Sequence, residues 1–189
     1  MRMRTLLALL VGLALLLPLP AGAQGPRPVA IADFSDESMD GRVIRAARLS
    51  VELQHLLDAQ AGGRLRVLAG EEIRAALRAR GYTPDDLVSP SRAADVGAAV
   101  GAEWITTGRW TQLTFTPIPD FPQDPTEPRV WGDSVAYAAL QIRVLHVPSR
   151  RILLEQGFYG SAFGRPRFAV LLAAAREVLR DAAAGITRL

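Results

Sequence analysis

Catalytic chemistry needs particular side chains, and this chain of 189 residues has two histidines, His55 and His146, and no cysteine. Thiolate nucleophiles, thiolate metal sites and disulfides are therefore absent together. Gly160-Ser161-Ala162-Phe163-Gly164 places Ser beside the first Gly, one position away from the G-x-S-x-G nucleophile elbow. The two histidines have no metal-ligand spacing, and no phosphate-cradling glycine loop occurs. The carboxylates have more to offer. Asp36-x-Ser38-x-Asp40-Gly41 matches the first half of a calcium loop, but position twelve is Ala47, where a bidentate Glu belongs. Asp33, Asp36 and Asp40 follow a short apolar run, the place where α/β sheets hold ligands, so a small exported hydrolase or a calcium-binding protein is the alternative reading. Glu71-Glu72 and Asp85-Asp86 are adjacent pairs, read as solvated faces: neighbouring helical side chains diverge, and Asp85-Asp86 follows Pro84 in a turn.

A second group of residues suggests recognition. Prolines occupy 117, 119, 122, 125 and 128, interspersed with Asp120, Asp124 and Glu127, and with the aromatic residues Phe121 and Trp131. Residues 116–133 are expected to form a rigid loop, since prolines remove ladder hydrogen bonds and break helices. Such an excursion is often functional, and Phe121, Trp131, Asp120 and Asp124 are its candidate partner-binding residues. Trp104 and Trp110 share a strand parity and are expected in the core.

The elements that must position these residues follow from hydrophobic period and end chemistry. Residues 28–34 read as a strand, 42–59 as a helix with Ala46, Leu49, Leu53, Leu56 and Leu57 inward, and 64–68 as a second strand. Residues 70–80 form a helix with Glu71 and Glu72 in its first turn, Arg78 and Arg80 in its last, and Gly81 as its left-handed stop. Ser89-Pro90 opens a helix to about Val100, which Gly101 ends. Strands are expected over 103–115, 135–147 and 151–161, the last two joined as a hairpin by Pro148-Ser149-Arg150. An amphipathic helix over 165–189 closes the chain, with Phe168, Leu171, Leu172, Ala175, Val178, Leu179 and Ile186 inward. The fold class is α/β (α+β): a mixed β-sheet with a parallel βαβ start, an antiparallel C-terminal hairpin, and helices packed on it.

Residues 1–23 carry an export signal: Arg2 and Arg4, an apolar run from Thr5 to Leu17, breaks at Pro18 and Pro20, and Ala21-Gly22-Ala23 for cleavage. Residues 24–189 are then one mature domain, destined for the periplasm. With no cysteine it has no thiol for a lipoprotein anchor, and no second apolar run supplies a transmembrane segment after cleavage. The pI of about 10.1 reflects 22 basic residues, all Arg. Two belong to the signal, and the rest nearly balance 19 acidic residues dispersed among them, which argues against nucleic acid.

The opening strand PVAIADF (28–34) with its long helix, the passage from Ala93 to Gly108, and the hairpin from Leu140 to Glu155 resemble the TolB N-terminal domain and CsgG-like envelope proteins. In Ala93–Gly108 the similarity is to an A-x-x-x-G-A-D-x-x-x-x-G pattern. The turn Pro148-Ser149-Arg150 departs from the family's D-x-x-T-G, and the proline-rich segment resembles an insertion. The resemblance implies a TolB-N-like fold and a non-enzymatic binding or assembly role in the bacterial envelope. It implies protein partners, an oligomer being compatible with it, and brings no catalytic residue, cofactor or metal.

Overall fold

A computed structural model describes residues 25–37, 46–119 and 131–189. In chain order these form β1 (Arg27–Ile31), β2 (Ser35–Asp36), α1 (Ala46–Gln60), β3 (Leu65–Val67), α2 (Gly70–Arg80), a 3-10 helix η1 (Pro84–Val88), α3 (Pro90–Ala99), β4 (Trp104–Pro119), β5 (Trp131–His146), β6 (Arg151–Gly164) and α4 (Arg167–Thr187). The expected export signal over residues 1–23 and the start of the expected first helix lie outside the described residues.

The strands make one mixed sheet in the order β3-β1-β4-β5-β6, with β2 pairing β4 beyond the end of β1. β3, β1 and β2 run parallel to their partners; β4, β5 and β6 form an antiparallel meander. The expected parallel start and antiparallel hairpin are thus both present, and β2 and η1 are additions to the sequence reading.

Two cores lie on the two faces. Leu49, Leu53 and Leu57 of α1 and the stripe from Val170 to Ile186 of α4 pack on Trp104, Trp110, Leu113, Leu140, Ile142 and Phe158. On the opposite face, Ile73 and Leu77 of α2, Leu87 of η1 and Ala93 and Val96 of α3 cover Ala30, Ile105, Leu145 and Val147. The helix ends follow the expected chemistry. Gly81 sits at φ 66° and its N–H returns to the Arg78 carbonyl at 3.1 Å. Ser89 occupies the N-cap position before Pro90, but its hydroxyl pairs with Ser91 and not with the helix backbone.

Three expectations need correction. Both ends of the 116–133 segment are strand: Thr116 to Pro119 continue β4, and β5 already begins at Trp131, in register with Pro119. Prolines are tolerated there because, among the described residues, β4 has no partner beyond Trp110 except β5, so one side of its ladder is open. Phe168 is half-exposed and not inward: the buried stripe of α4 begins only at Val170, and in the first turn it is Arg167 that meets the sheet, its guanidinium over the Phe115 ring. Asp86 is a capping residue and not merely a solvated charge. Its carboxylate accepts the Thr83 backbone N–H and hydroxyl, both at 2.9 Å, and so closes the start of η1.

Trp104 and Trp110 are both buried in the α1/α4 core, as expected. A β-bulge between Trp110 and Gln112 then shifts the parity of β4, so that Leu113 and Phe115 continue the same inner face.

Candidate functional site

Among the described residues, the carboxylates that suggested hydrolysis, Asp33 and Asp36, have separate surroundings. Asp33, at the end of β1, accepts a hydrogen bond from Ser50 at 3.0 Å and lies 3.5 Å from the Arg74 guanidinium. Asp36 is a strand residue in register with Trp110, and Asp40 lies outside the described residues. Glu71 is held by Arg74 and Arg78, whose hydrogen bonds and positive charges keep its carboxyl below the usual range. His55 is exposed on α1, and His146 shares a 2.7 Å hydrogen bond with Ser149 in the β5–β6 turn. Among the described residues no three His, Cys, Asp or Glu side chains gather to hold a metal ion.

A different set of residues is gathered by the sheet. The helices α2, α3 and η1 cover only one end of their face, while β4, β5 and β6 run on past them. Register puts Thr107, Arg143 and Glu155 side by side, then Arg109, Gln141 and Gly157, then Tyr159 beside Ala139, Tyr137 beside Ser161, and Phe163 beside Val135. Because side chains alternate along a strand, all of these share the uncovered face.

Where η1 meets this face there is a cleft of about 240 Å³. Pro84, Leu87 and Val88 form its apolar wall, and Thr107, Arg109, Gln141, Arg143 and Glu155 form its polar floor. Arg143 donates to the Val88 carbonyl and to the Glu155 carboxylate, each at 2.5 Å, while its buried Nε–H meets no acceptor among the described residues. Arg109 donates to Glu37 at 2.7 Å and to the Gln141 side-chain oxygen at 3.1 Å, and the Gln141 amide N–H groups meet no acceptor among the described residues.

The two compensating carboxylates are the more exposed partners of these pairs. The Arg143 side chain is 21% exposed and that of Glu155 56%. Ion pairs of this kind contribute about 0–1 kcal/mol, so an incoming acceptor displaces the carboxylate at little cost. Tyr159 lies next to the cleft, beside its lining residue Gly157. A Cβ on Gly157 would lie 3.1 Å from the Tyr159 hydroxyl and 3.4 Å from the ring, so the ring lies across the glycine. Tyr159 is nonetheless 75% exposed and Phe163 65%, with Tyr137 beside them. Tyr137, Tyr159 and Phe163 thus form a group of exposed aromatics on one sheet face beside the cleft.

The β6 edge is less open than a bare strand. β6 pairs only with β5 among the described residues, but a bulge interrupts its register near Ile152, and Glu177 of α4 accepts the Ser161 backbone N–H at 3.2 Å. Bulges and charged groups on an edge discourage addition of another strand.

None of the cleft residues stood out in the sequence. Arg109, Gln141 and Arg143 come from strands whose register no spacing reveals. One signal was legible: Tyr159 and Phe163 fall on the opposite parity from Phe158, so β6 carries large apolar groups on both faces. Of the sequence-level candidates, Trp131 is the first residue of β5, while Asp120, Phe121 and Asp124 lie outside the described residues.

The cap on η1 supports one prediction. Asp86 is held below the ordinary carboxylate range by hydrogen bonds from Thr83, aided by Arg92. A depressed folded-state pKa stabilises the fold above the unfolded value, and that stability is lost as pH falls through the folded value. Asp86→Asn is therefore expected to lower the urea midpoint at pH 7, with the gap to wild type closing as the pH falls below about 4.

No family model matches the chain. No curated protein matches it in sequence. Its fold is found in solved structures. The lipoprotein GNA1162 from Neisseria meningitidis superposes with a TM-score of 0.52 at 14% identity, over 84% of this chain and 99% of the other. The hypothetical protein CT253 from Chlamydia trachomatis does so with a TM-score of 0.53 at 12% identity, over 86% and 96%. A looser likeness, TM-score 0.46 at 14% identity over 74% and 85%, is to the LpoB C-terminal domain from Salmonella enterica. At these identities the shared property is the fold.

Proposed function

We propose that this protein is an exported, non-enzymatic binding or assembly component of the bacterial cell envelope, acting through protein–protein contacts. The observation that carries the reading is the uncovered face of β4–β6, where Tyr137, Tyr159 and Phe163 stand exposed beside a cleft with spare guanidinium and amide donors. Buried catalytic constellations enclose reacting groups; an open aromatic face with a polar cleft suits docking. The export signal over residues 1–23, the single mature domain over 24–189 and the TolB-N-like or CsgG-like resemblance support a periplasmic site of action. The fold's occurrence in a Neisseria lipoprotein is compatible with that placement. This chain has no cysteine to lipidate, so the mature domain is proposed to act as a soluble protein. No described helix is long and apolar enough to cross a membrane.

The test is crosslinking and pull-down from a periplasmic extract. The Tyr137→Ser/Phe163→Ser variant should keep the far-UV spectrum and unfolding midpoint of wild type while losing at least tenfold in capture of the crosslinked partner. Phe121→Ala/Trp131→Ala should weaken capture as well, as expected for residues of the proline-rich docking segment. Equal recovery with all variants would overturn the reading.

A further inference from the structure

We propose that the cleft beside η1 is a receptor for the acidic, proline-rich segment 120–130 of a second copy of this chain, so that copies associate head to tail. The inference rests on the reading of that segment as a docking element and names its partner.

Complementarity is the first argument. The cleft offers Arg109, Arg143 and the Gln141 amide beside the apolar wall of Pro84, Leu87 and Val88. Segment 120–130 offers Asp120, Asp124 and Glu127 with Phe121 and three prolines, against a single Arg129. Carboxylates matched to forked guanidinium donors, with a ring and prolines against an aliphatic wall, satisfy both halves of the site. Prolines also restrict the unbound segment and so reduce the ordering cost of docking. Glu37 and Glu155 now occupy the guanidinium groups from exposed positions, and the incoming carboxylates take their place.

Reach is the second argument, and it decides between one chain and two. Arg109 precedes Pro119 by ten residues along β4, a distance of about 33 Å at the rise of a strand. Asp124 lies five residues beyond Pro119 and extends back at most about 18 Å. The segment therefore falls short of the cleft of its own chain by about 15 Å. Docking is left to a neighbour. Each copy then presents a cleft at one end of the meander and a ligand at the other. A heterologous interface of this kind builds a ring if its rotation closes and a filament if it does not.

The experiment uses the mature protein in analytical ultracentrifugation over a range of concentration and salt. Wild type should associate with rising concentration and dissociate as salt screens the charges. Asp120→Asn/Asp124→Asn/Glu127→Gln, which removes the ligand charges, should be monomeric. So should Arg109→Gln, which leaves the Arg143 contact to Val88 and the fold in place. Mixing these two variants should restore association only as far as a dimer, since each retains one competent half. Binding of a labelled synthetic peptide of residues 118–130 to wild type, weakened at least tenfold by Arg109→Gln, should follow the same pattern. A wild type that stays monomeric, association that either variant leaves unchanged, or a mixture of folded variants that forms no dimer would overturn the proposal. If Arg109→Gln instead loses the crosslinked envelope partner while self-association is unaffected, the cleft serves that partner. The second-copy assignment then fails and the binding-protein reading survives.

Discussion

Replacing Trp110 by Ala is expected to lower the unfolding free energy by about 3–5 kcal/mol, read from urea denaturation of the mature protein. Trp110 is fully buried between the sheet and the α1/α4 core, with the Phe34 ring edge-on at 6.4 Å. Its removal forfeits the transfer free energy of the ring and leaves a cavity that two packed helices cannot collapse into. Against a total stability of about 5–15 kcal/mol, this loss brings the protein close to its unfolding threshold. The indole N–H has no acceptor among the described residues, so part of the ring's gain is offset by an unpaired donor. Trp110→Phe, which keeps most of the volume and removes that donor, should cost much less than Trp110→Ala. Equal losses for the two would show that the cavity term is not what Trp110 supplies.

Gly160→Val is expected to be the next most damaging change, at about 2–3 kcal/mol or more. A Cβ at Gly160 would lie 2.9 Å from the Ala174 carbonyl oxygen and 3.0 Å from a Val178 methyl. The obstructing oxygen belongs to helix backbone, so no rotamer change relieves the clash, and α4 must lift from β6. The lift would disturb the Ala174, Val178 and Ala182 stripe along with it. Gly108, with the Phe34 ring against it, provides a contrast: a Cβ there would meet the ring at 2.6 Å. Gly108→Ala is expected to be rescued in part by Phe34→Leu. No comparable second-site change is expected to rescue Gly160→Val. Unfolding midpoints of these variants decide this, and a Gly160→Val protein as stable as wild type would refute the close α4–β6 approach.

The main helices and strands, and the face shared by Trp104 and Trp110, were legible in the residues alone, since these depend on local period and end chemistry. The helix over 70–80 with Gly81 as its stop, the helix opened by Pro90, and the strand parity that buries Trp104 and Trp110 needed no long-range information. Residues 116–119 read wrongly because proline's local penalty was visible and the open side of β4 was not. Asp85-Asp86 looked like surface charge, and only the 3-10 turn revealed Asp86 as a cap.

The candidate site, by contrast, exists only in the folded chain. Arg109, Gln141 and Arg143 become neighbours through the register of β4 with β5, a non-local pairing across a long connection. Only the placement of η1 turns that part of the sheet into a cleft. Whether a face is covered depends on where helices from elsewhere in the chain come to rest. That is why Tyr137, Tyr159 and Phe163, which alternation alone reads as ordinary strand residues, stand exposed. The proline-rich segment is recognisable from composition at once, but the destination proposed for it depends on strand geometry, which sets Arg109 ten residues from Pro119 along β4.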